Sequence, residues 1–188
     1  MPSVTCFKSG KHNGEPSRIL LPEWDFQRAM KFMDDKEAMF RRLAAEQLEP
    51  VNGLNKLLKW IEGRGLQRAA VTNAPRPNAE LLLSMLGLAD FFKTVVLASE
   101  CDRVKHFPDA YLKALQILGA SPQCTFVFEV RLISIIMCFG IRGLGAGMPV
   151  VGLATRNPEK LLAYAGAIFV IKDFDDPKLW TALEKLEK

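Results

Sequence analysis

From residue 24 to 48 apolar residues recur at helical spacing: Phe26, Met30, Met33, Met39, Phe40, Leu43 and Leu48, with charges between them. This pattern predicts a long helix whose Met-rich stripe serves packing, because flexible methionines fill gaps between helices. Asp34 and Asp35 inside it read as a solvated helix turn rather than a metal pair. Glu49-Pro50 ends the helix, since proline can neither continue it nor leave the residue before it helical. Leu54, Leu57, Leu58 and Ile61 then form one face of a second helix, closed by Gly63 and Gly65.

Beyond Gly65 the chain alternates between strand and helix patterns. Residues 68–72 (RAAVT), 94–98 (TVVLA), 124–128 (CTFVF), 149–153 (PVVGL) and 167–171 (AIFVI) read as short buried strands. Between them, 77–86, 108–118 and 158–165 read as amphipathic helices, and 177–187 as a final one, with Gly87 and Gly119 as C-terminal stops. Apolar strands separated by such helices imply βα crossovers and a mainly parallel sheet covered on both faces. We divide the chain into residues 1–48, an N-terminal segment with a partial helical cap, and 49–188, an α/β core with an atypical insert at 130–139.

Composition narrows the class. Apolar residues are 49% and charged residues 24% of 188, as in a soluble globular protein, which excludes a disordered or collagen-like chain. Lys plus Arg exceed Asp plus Glu by 25 to 21, a net charge of +4 spread along the chain, and this argues against nucleic acid as a partner. Cys6, Cys101, Cys124 and Cys138 show no paired spacing, and with His12 and His106 the only histidines a zinc site or disulfide framework is not expected. The longest apolar run, 132–139, is far short of the roughly 20 residues that span a membrane. The first residues lack the apolar core of a secretory signal, so we expect a cytoplasmic protein, with a plastid location left open.

In a parallel α/β sheet, ligands bind beyond the carboxyl ends of the strands. After the first strand comes Thr72-Asn73-Ala74-Pro75-Arg76, where a hydroxyl, an amide and backbone N–H groups can cradle an anion at a helix start. An ordinary turn in which Thr72 caps the next helix accounts for the same residues. After the second strand, Lys105 precedes the helix opened by Pro108 and Asp109, a placement that opposes the helix dipole unless an anion sits there. A solvated loop lysine is the alternative. Glu129 ends the third strand, and one carboxylate is weak grounds for Mg²⁺.

Taken in order, the strand ending Thr72-Asn73, residues 105–115 (KHFPDAYLKAL), the strand ending Phe128-Glu129 and residues 145–153 (GAGMPVVGL) resemble a haloacid dehalogenase-like (HAD) hydrolase. Residues 50–73, 76–92 and 157–180 extend the resemblance, which covers 24–129 and 140–188 and is nearest the phosphatases of sugar phosphates that carry a helical cap. The resemblance implies a Rossmann-like three-layer α/β fold and Mg²⁺-dependent hydrolysis of small phosphorylated metabolites. An aspartate nucleophile in a D-x-D-G-T motif on the first strand, central in the family's sheet, would form an aspartyl-phosphate. By the same resemblance Thr72 and Asn73 bind phosphoryl oxygens, Lys105 neutralises them, and Glu129 is a residual metal-site residue.

This chain departs from the family twice. D-x-D-G-T occurs nowhere in it, and the strand that bears it has no counterpart. Where the family has an aspartate after Glu129 this chain has Val130, and the apolar stretch 130–139 precedes the return of the pattern at Gly140. The run from Ala167 to Asp176, an apolar strand followed by D-x-D, imitates the missing motif but lacks Gly-Thr. Gly140, Gly143, Gly145 and Gly147 fit no dinucleotide fingerprint. Groups that act as a unit fail together, so the expectation is a phosphatase-family chain that is inactive as it stands. The alternatives are a non-catalytic phosphate-binding or interaction protein, a truncated isoform, or a gene-model artefact in which 130–139 is translated non-coding sequence.

Overall fold

A computed structural model describes residues 21–101, 108–129, 147–155 and 158–185. The first helix, α1 (Phe26–Gln47), starts where the Asp25 carboxylate accepts the Arg28 backbone N–H at 2.9 Å, satisfying a donor the helix itself cannot. It is followed by α2 (Leu54–Gly63), β1 (Ala69–Thr72), α3 (Arg76–Met85), β2 (Thr94–Leu97) and a 3₁₀ turn at Ala98–Glu100. Then come α4 (Asp109–Leu118), a 3₁₀ turn at Pro122–Cys124, β3 (Val127–Glu129), β4 (Val150–Leu153), α5 (Glu159–Tyr164), β5 (Phe169–Ile171) and α6 (Pro177–Lys185). α4 closes on Gly119 at φ 65°, with the Ala120 N–H returning to the Leu115 carbonyl at 3.0 Å, a left-handed exit that suits glycine.

The strands pair in parallel but in two sheets. β1 pairs with β2, Ala69 opposite Thr94 and Thr72 opposite Leu97. β4 lies between β3 and β5, with Glu129 opposite Gly152 and Leu153 opposite Ile171. Among the described residues no strand joins β1 to β3. Burial follows the described pairing: β4, paired on both sides, is buried at every position, while β1 and β3, each paired on one side among the described residues, are half-buried throughout.

Period-two alternation assigns side chains to faces. Val151, Leu153, Ile171 and Phe174 join Leu57 of α2 and Leu179 and Leu183 of α6, with Phe128 alongside. On the opposite face Tyr111 and Leu115 of α4 meet Met148 and Leu162 of α5, and against this cluster lie Val127, Val170 and also Val71 of the other sheet. α4 reaches further, packing Ala110 and Ala114 against Val96 of β2. The layers are therefore helix–sheet–helix, as the alternation predicts, and α4 is the element both sheets share.

Three expectations need correction. The third strand begins at Val127, not at residue 124: the Ser121 carbonyl accepts the Cys124 N–H at 3.1 Å and the Thr125 hydroxyl at 2.8 Å, so these residues wind into a turn. Thr72 does not cap α3, because Pro75 occupies that position without a side-chain cap. The Met-rich stripe of α1 is not a packing stripe throughout: α1 buries Ala29 and Met33 only, while Met39 is 54% and Phe26 48% exposed.

Candidate phosphate site at the strand ends

Thr72 and Glu129 are each the last residue of a parallel strand, β1 and β3, and so stand at the carboxyl ends, where ligands of such sheets bind. The Thr72 hydroxyl oxygen accepts the Ala74 N–H at 3.0 Å, a local turn that leaves its own hydrogen to be donated onward. Asn73 is exposed beside it, and Pro75 in extended conformation turns the chain into α3. Glu129 lies half-buried on the other sheet. Lys105, Val130 and the insert 130–139 lie outside the described residues. The structure thus brings Thr72 and Asn73 to one turn and places Glu129 at the corresponding end of a different sheet.

An arginine that no sequence motif marks ties two of the strand-end loops together. Arg76, first residue of α3, donates from Nε to Glu100 Oε1 at 3.1 Å and from Nη2 to the same oxygen. Its Nη1 lies 3.5 Å from Glu80. Hydrogen bonding to Glu100, then its charge and that of Glu80, outweigh partial burial and raise the guanidinium further above its already high value. Lys113 Nζ adds a 3.3 Å bond to the Glu100 carbonyl. The loops following β1 and β2 are therefore joined across their edge.

Asn78, also missed in the sequence, is the one buried polar residue among those described, at 2% exposure. Its Oδ1 accepts from Arg41 Nη1 at 3.0 Å and its Nδ2 donates to Glu37 Oε2 at 2.6 Å, both on α1. No period or motif marks it, because an asparagine in a first helical turn usually faces water.

The run that imitates the missing motif has a structural occupation. Asp173 Oδ2 accepts from Asn52 Nδ2 at 3.2 Å, and its Oδ1 takes the Asp175 N–H at 2.9 Å. Asp176 accepts the backbone N–H groups of Lys172 and Lys178, both at 3.0 Å, the second as the start of α6. Burial opposes ionisation of Asp176, but these two bonds and the adjoining lysines outweigh it and hold the carboxyl below its usual range. These aspartates organise a turn.

Among the described residues no three His, Cys, Asp or Glu side chains group as metal ligands. Mg²⁺ takes one or two carboxylates together with water and phosphate oxygens, and among the described strand-end residues Glu129 is the carboxylate that could contribute.

A parallel α/β core with a Thr-Asn turn at the end of β1 defines the class: a helix–sheet–helix α/β protein. The model of the haloacid dehalogenase-like hydrolases matches residues 13–129, more than half the chain, and the chain belongs to that family. It is 30% identical over 112 residues to pyrophosphatase PpaX of Halalkalibacterium halodurans, covering 60% of this chain and 51% of that protein. It is 30% identical over 95 residues to fructose-1-phosphate phosphatase YqaB of Escherichia coli, covering 50% of each. The chain thus spans about half the length of these curated relatives. A HAD hydrolase from Entamoeba histolytica superposes with TM-score 0.73 at 23% identity, covering 94% of this chain and 80% of that one. β-Phosphoglucomutase from Clostridium difficile superposes with TM-score 0.74 at 19% identity, covering 94% and 77%. These likenesses establish the HAD-like fold. No helix among the described residues is long and apolar enough to cross a membrane.

Proposed function

We propose that this chain recognises small phosphate esters, sugar phosphates foremost, at Thr72, Asn73 and Lys105, and that its 188 residues by themselves do not hydrolyse them. The observation that carries the reading is the turn after β1. There the Thr72 hydroxyl, fixed by accepting the Ala74 N–H at 3.0 Å, keeps a hydrogen for a phosphoryl oxygen at the start of α3. Asn73 would add its amide and Lys105 its charge. Family membership supports phosphatase-type chemistry, and the relatives named for pyrophosphate and fructose 1-phosphate support a phosphorylated substrate.

Absence of turnover rests on the sequence: no D-x-D-G-T supplies a nucleophile, and Val130 stands where the family's metal-binding aspartate falls. Mg²⁺ belongs to the family's chemistry, and we read its site as lost here. We also read residues 1–48 as an N-terminal segment with a partial helical cap and 49–188 as the core, in the cytoplasm or, as the alternative, a plastid.

The test is thermal unfolding with inorganic phosphate, set beside hydrolysis of p-nitrophenyl phosphate with Mg²⁺. A ligand at a hundredfold excess over Kd stabilises by about 2.7 kcal/mol. Phosphate should raise Tm in the wild type and not in Thr72→Val, and no Mg²⁺-dependent rate should exceed that of Lys105→Ala. An unchanged Tm in tens of millimolar phosphate would refute the binding reading, and a Mg²⁺-dependent rate well above that control would refute the absence of turnover.

A further inference from the structure

The buried amide of Asn78 joins α3 to α1. It sits in the first turn of α3, three residues after Pro75, and its backbone N–H donates to the Pro75 carbonyl at 3.0 Å. Its side chain faces α1, where Glu37 and Arg41 are one helical turn apart and so meet it together. The Glu37 side chain is only 14% exposed, and its other oxygen holds Lys36 Nζ at 2.6 Å.

A buried amide is costly unless both its ends are hydrogen-bonded. Glu37 and Arg41, which bind the two ends of the Asn78 amide, both come from α1, whose fully buried apolar residues are only Ala29 and Met33. With so little apolar area engaged, the polar node has an unusual share in seating α1. The same first turn of α3 continues directly from Thr72-Asn73-Ala74-Pro75, so whatever orders that turn also orders the residue that α1 grips.

We infer that Asn78 is a positioning residue that couples occupancy of the Thr72–Asn73 turn to the docking of α1, with Glu37 and Arg41 as its counterparts. This rests on the phosphate reading of that turn. Coupling between two sites is reciprocal: if phosphate tightens α1 docking by some factor, docked α1 tightens phosphate by the same factor. Asn78 is not placed in contact with the anion, so it acts on phosphate indirectly, and Arg41, which lies on α1, isolates the part of that effect carried by α1.

Hydrogen exchange of the amides of residues 26–47, with and without saturating inorganic phosphate, tests this on the full chain. In the wild type phosphate should slow their exchange about fivefold or more, the lower end of ordinary coupling. In Asn78→Leu, similar in volume but without an amide, that response should vanish and the phosphate Kd should weaken by the same factor. Arg41→Met removes the node from the α1 side, leaves α3 untouched, and should reproduce both effects, which keeps the test decisive if Asn78→Leu does not fold. Phosphate that binds the wild type while leaving α1 exchange unchanged would overturn the coupling and spare the phosphate reading. So would equal phosphate affinity in the wild type and Arg41→Met. A wild type that binds no phosphate would overturn the phosphate reading, and this inference with it.

Discussion

Gly53 and Asp175 touch so closely that no side chain fits between them. Gly53 opens α2 at φ 76°, and a Cβ built on it would lie 2.5 Å from the Asp175 backbone nitrogen and 2.5 Å from the Phe174 carbonyl carbon. The Phe174 N–H donates to the Asn52 carbonyl at 2.9 Å, so this contact joins the start of α2 to the turn between β5 and α6. The glycine satisfies two demands at once, a left-handed backbone and a backbone neighbour that cannot swing aside.

Gly53→Ala should therefore destabilise the chain by about 2–4 kcal/mol, combining the left-handed penalty with displacement of the α6 turn. Gly65, also left-handed at φ 59° but with nothing within 4 Å of a Cβ built on it, isolates the first component. Gly65→Ala should cost about 1 kcal/mol. Urea unfolding of the two variants measures the difference, and equal losses would show that the Asp175 contact gives way freely.

Asp176 gives a pH signature. Its carboxyl is held below its ordinary value of 3.8, chiefly against burial, by the Lys172 and Lys178 N–H groups. A depressed carboxyl contributes its stability fully above the unfolded value and loses it as pH falls through the folded one. The wild type should thus lose stability below pH 3.8 more steeply than Asp176→Asn. At pH 7 Asp176→Ala should cost about 1 kcal/mol, as loss of a helix start does. Parallel acid titration curves for wild type and Asp176→Asn would contradict the assignment.

The one-sided pairing of β1 and β3 among the described residues predicts self-association. Among the described residues each of these half-buried strands is paired along one side only, and a strand edge left open templates pairing with another chain. The sequence run 132–139, apolar and uncharged, adds β-aggregation propensity. Sedimentation velocity of the purified chain should reveal concentration-dependent oligomers. A monodisperse monomer with a sharp, reversible thermal transition would be the contrary result.

Core truncation should separate the two faces of the larger sheet. Leu179 of α6 and Leu162 of α5 are both fully buried, on opposite faces. Either leucine replaced by alanine should cost about 2–5 kcal/mol. Only Leu162→Ala disturbs the cluster that includes Val71, so it alone should also speed amide exchange in β1. Exchange in β1 that responds equally to both would argue against that face assignment.

Much of the fold is legible in the chain. The alternation of short apolar runs with amphipathic helices locates every described strand to within a few residues, because strands of a sheet covered by helices read as short, nearly continuous apolar runs. The place of Thr72-Asn73 is legible too: a polar pair directly after an apolar run falls at the carboxyl end of a strand. The Arg76–Glu100 pair and the Asn78 node are not, since they link residues 24 and about 40 positions apart by side chains whose types are common on any surface. The exposed face of α1 escapes for a different reason. Helical spacing makes Phe26, Met39 and Leu43 candidates for burial, but which stripe finds a partner depends on what lies opposite, and α1 buries only the stripe of Ala29 and Met33.

The shared seat on α4 carries a mechanical consequence. Within either sheet, strand positions are quantised by the hydrogen-bond ladder: a shift must be a whole register step. Between the sheets, among the described residues, the link runs through side chains of Tyr111, Leu115, Met148 and Leu162 against Val71 and Val127, and dispersion contacts have no such steps. Among the described residues the spacing of Thr72 from Glu129 is therefore a continuous variable, set by side-chain packing, where the spacing of Glu129 from Gly152 is a fixed one.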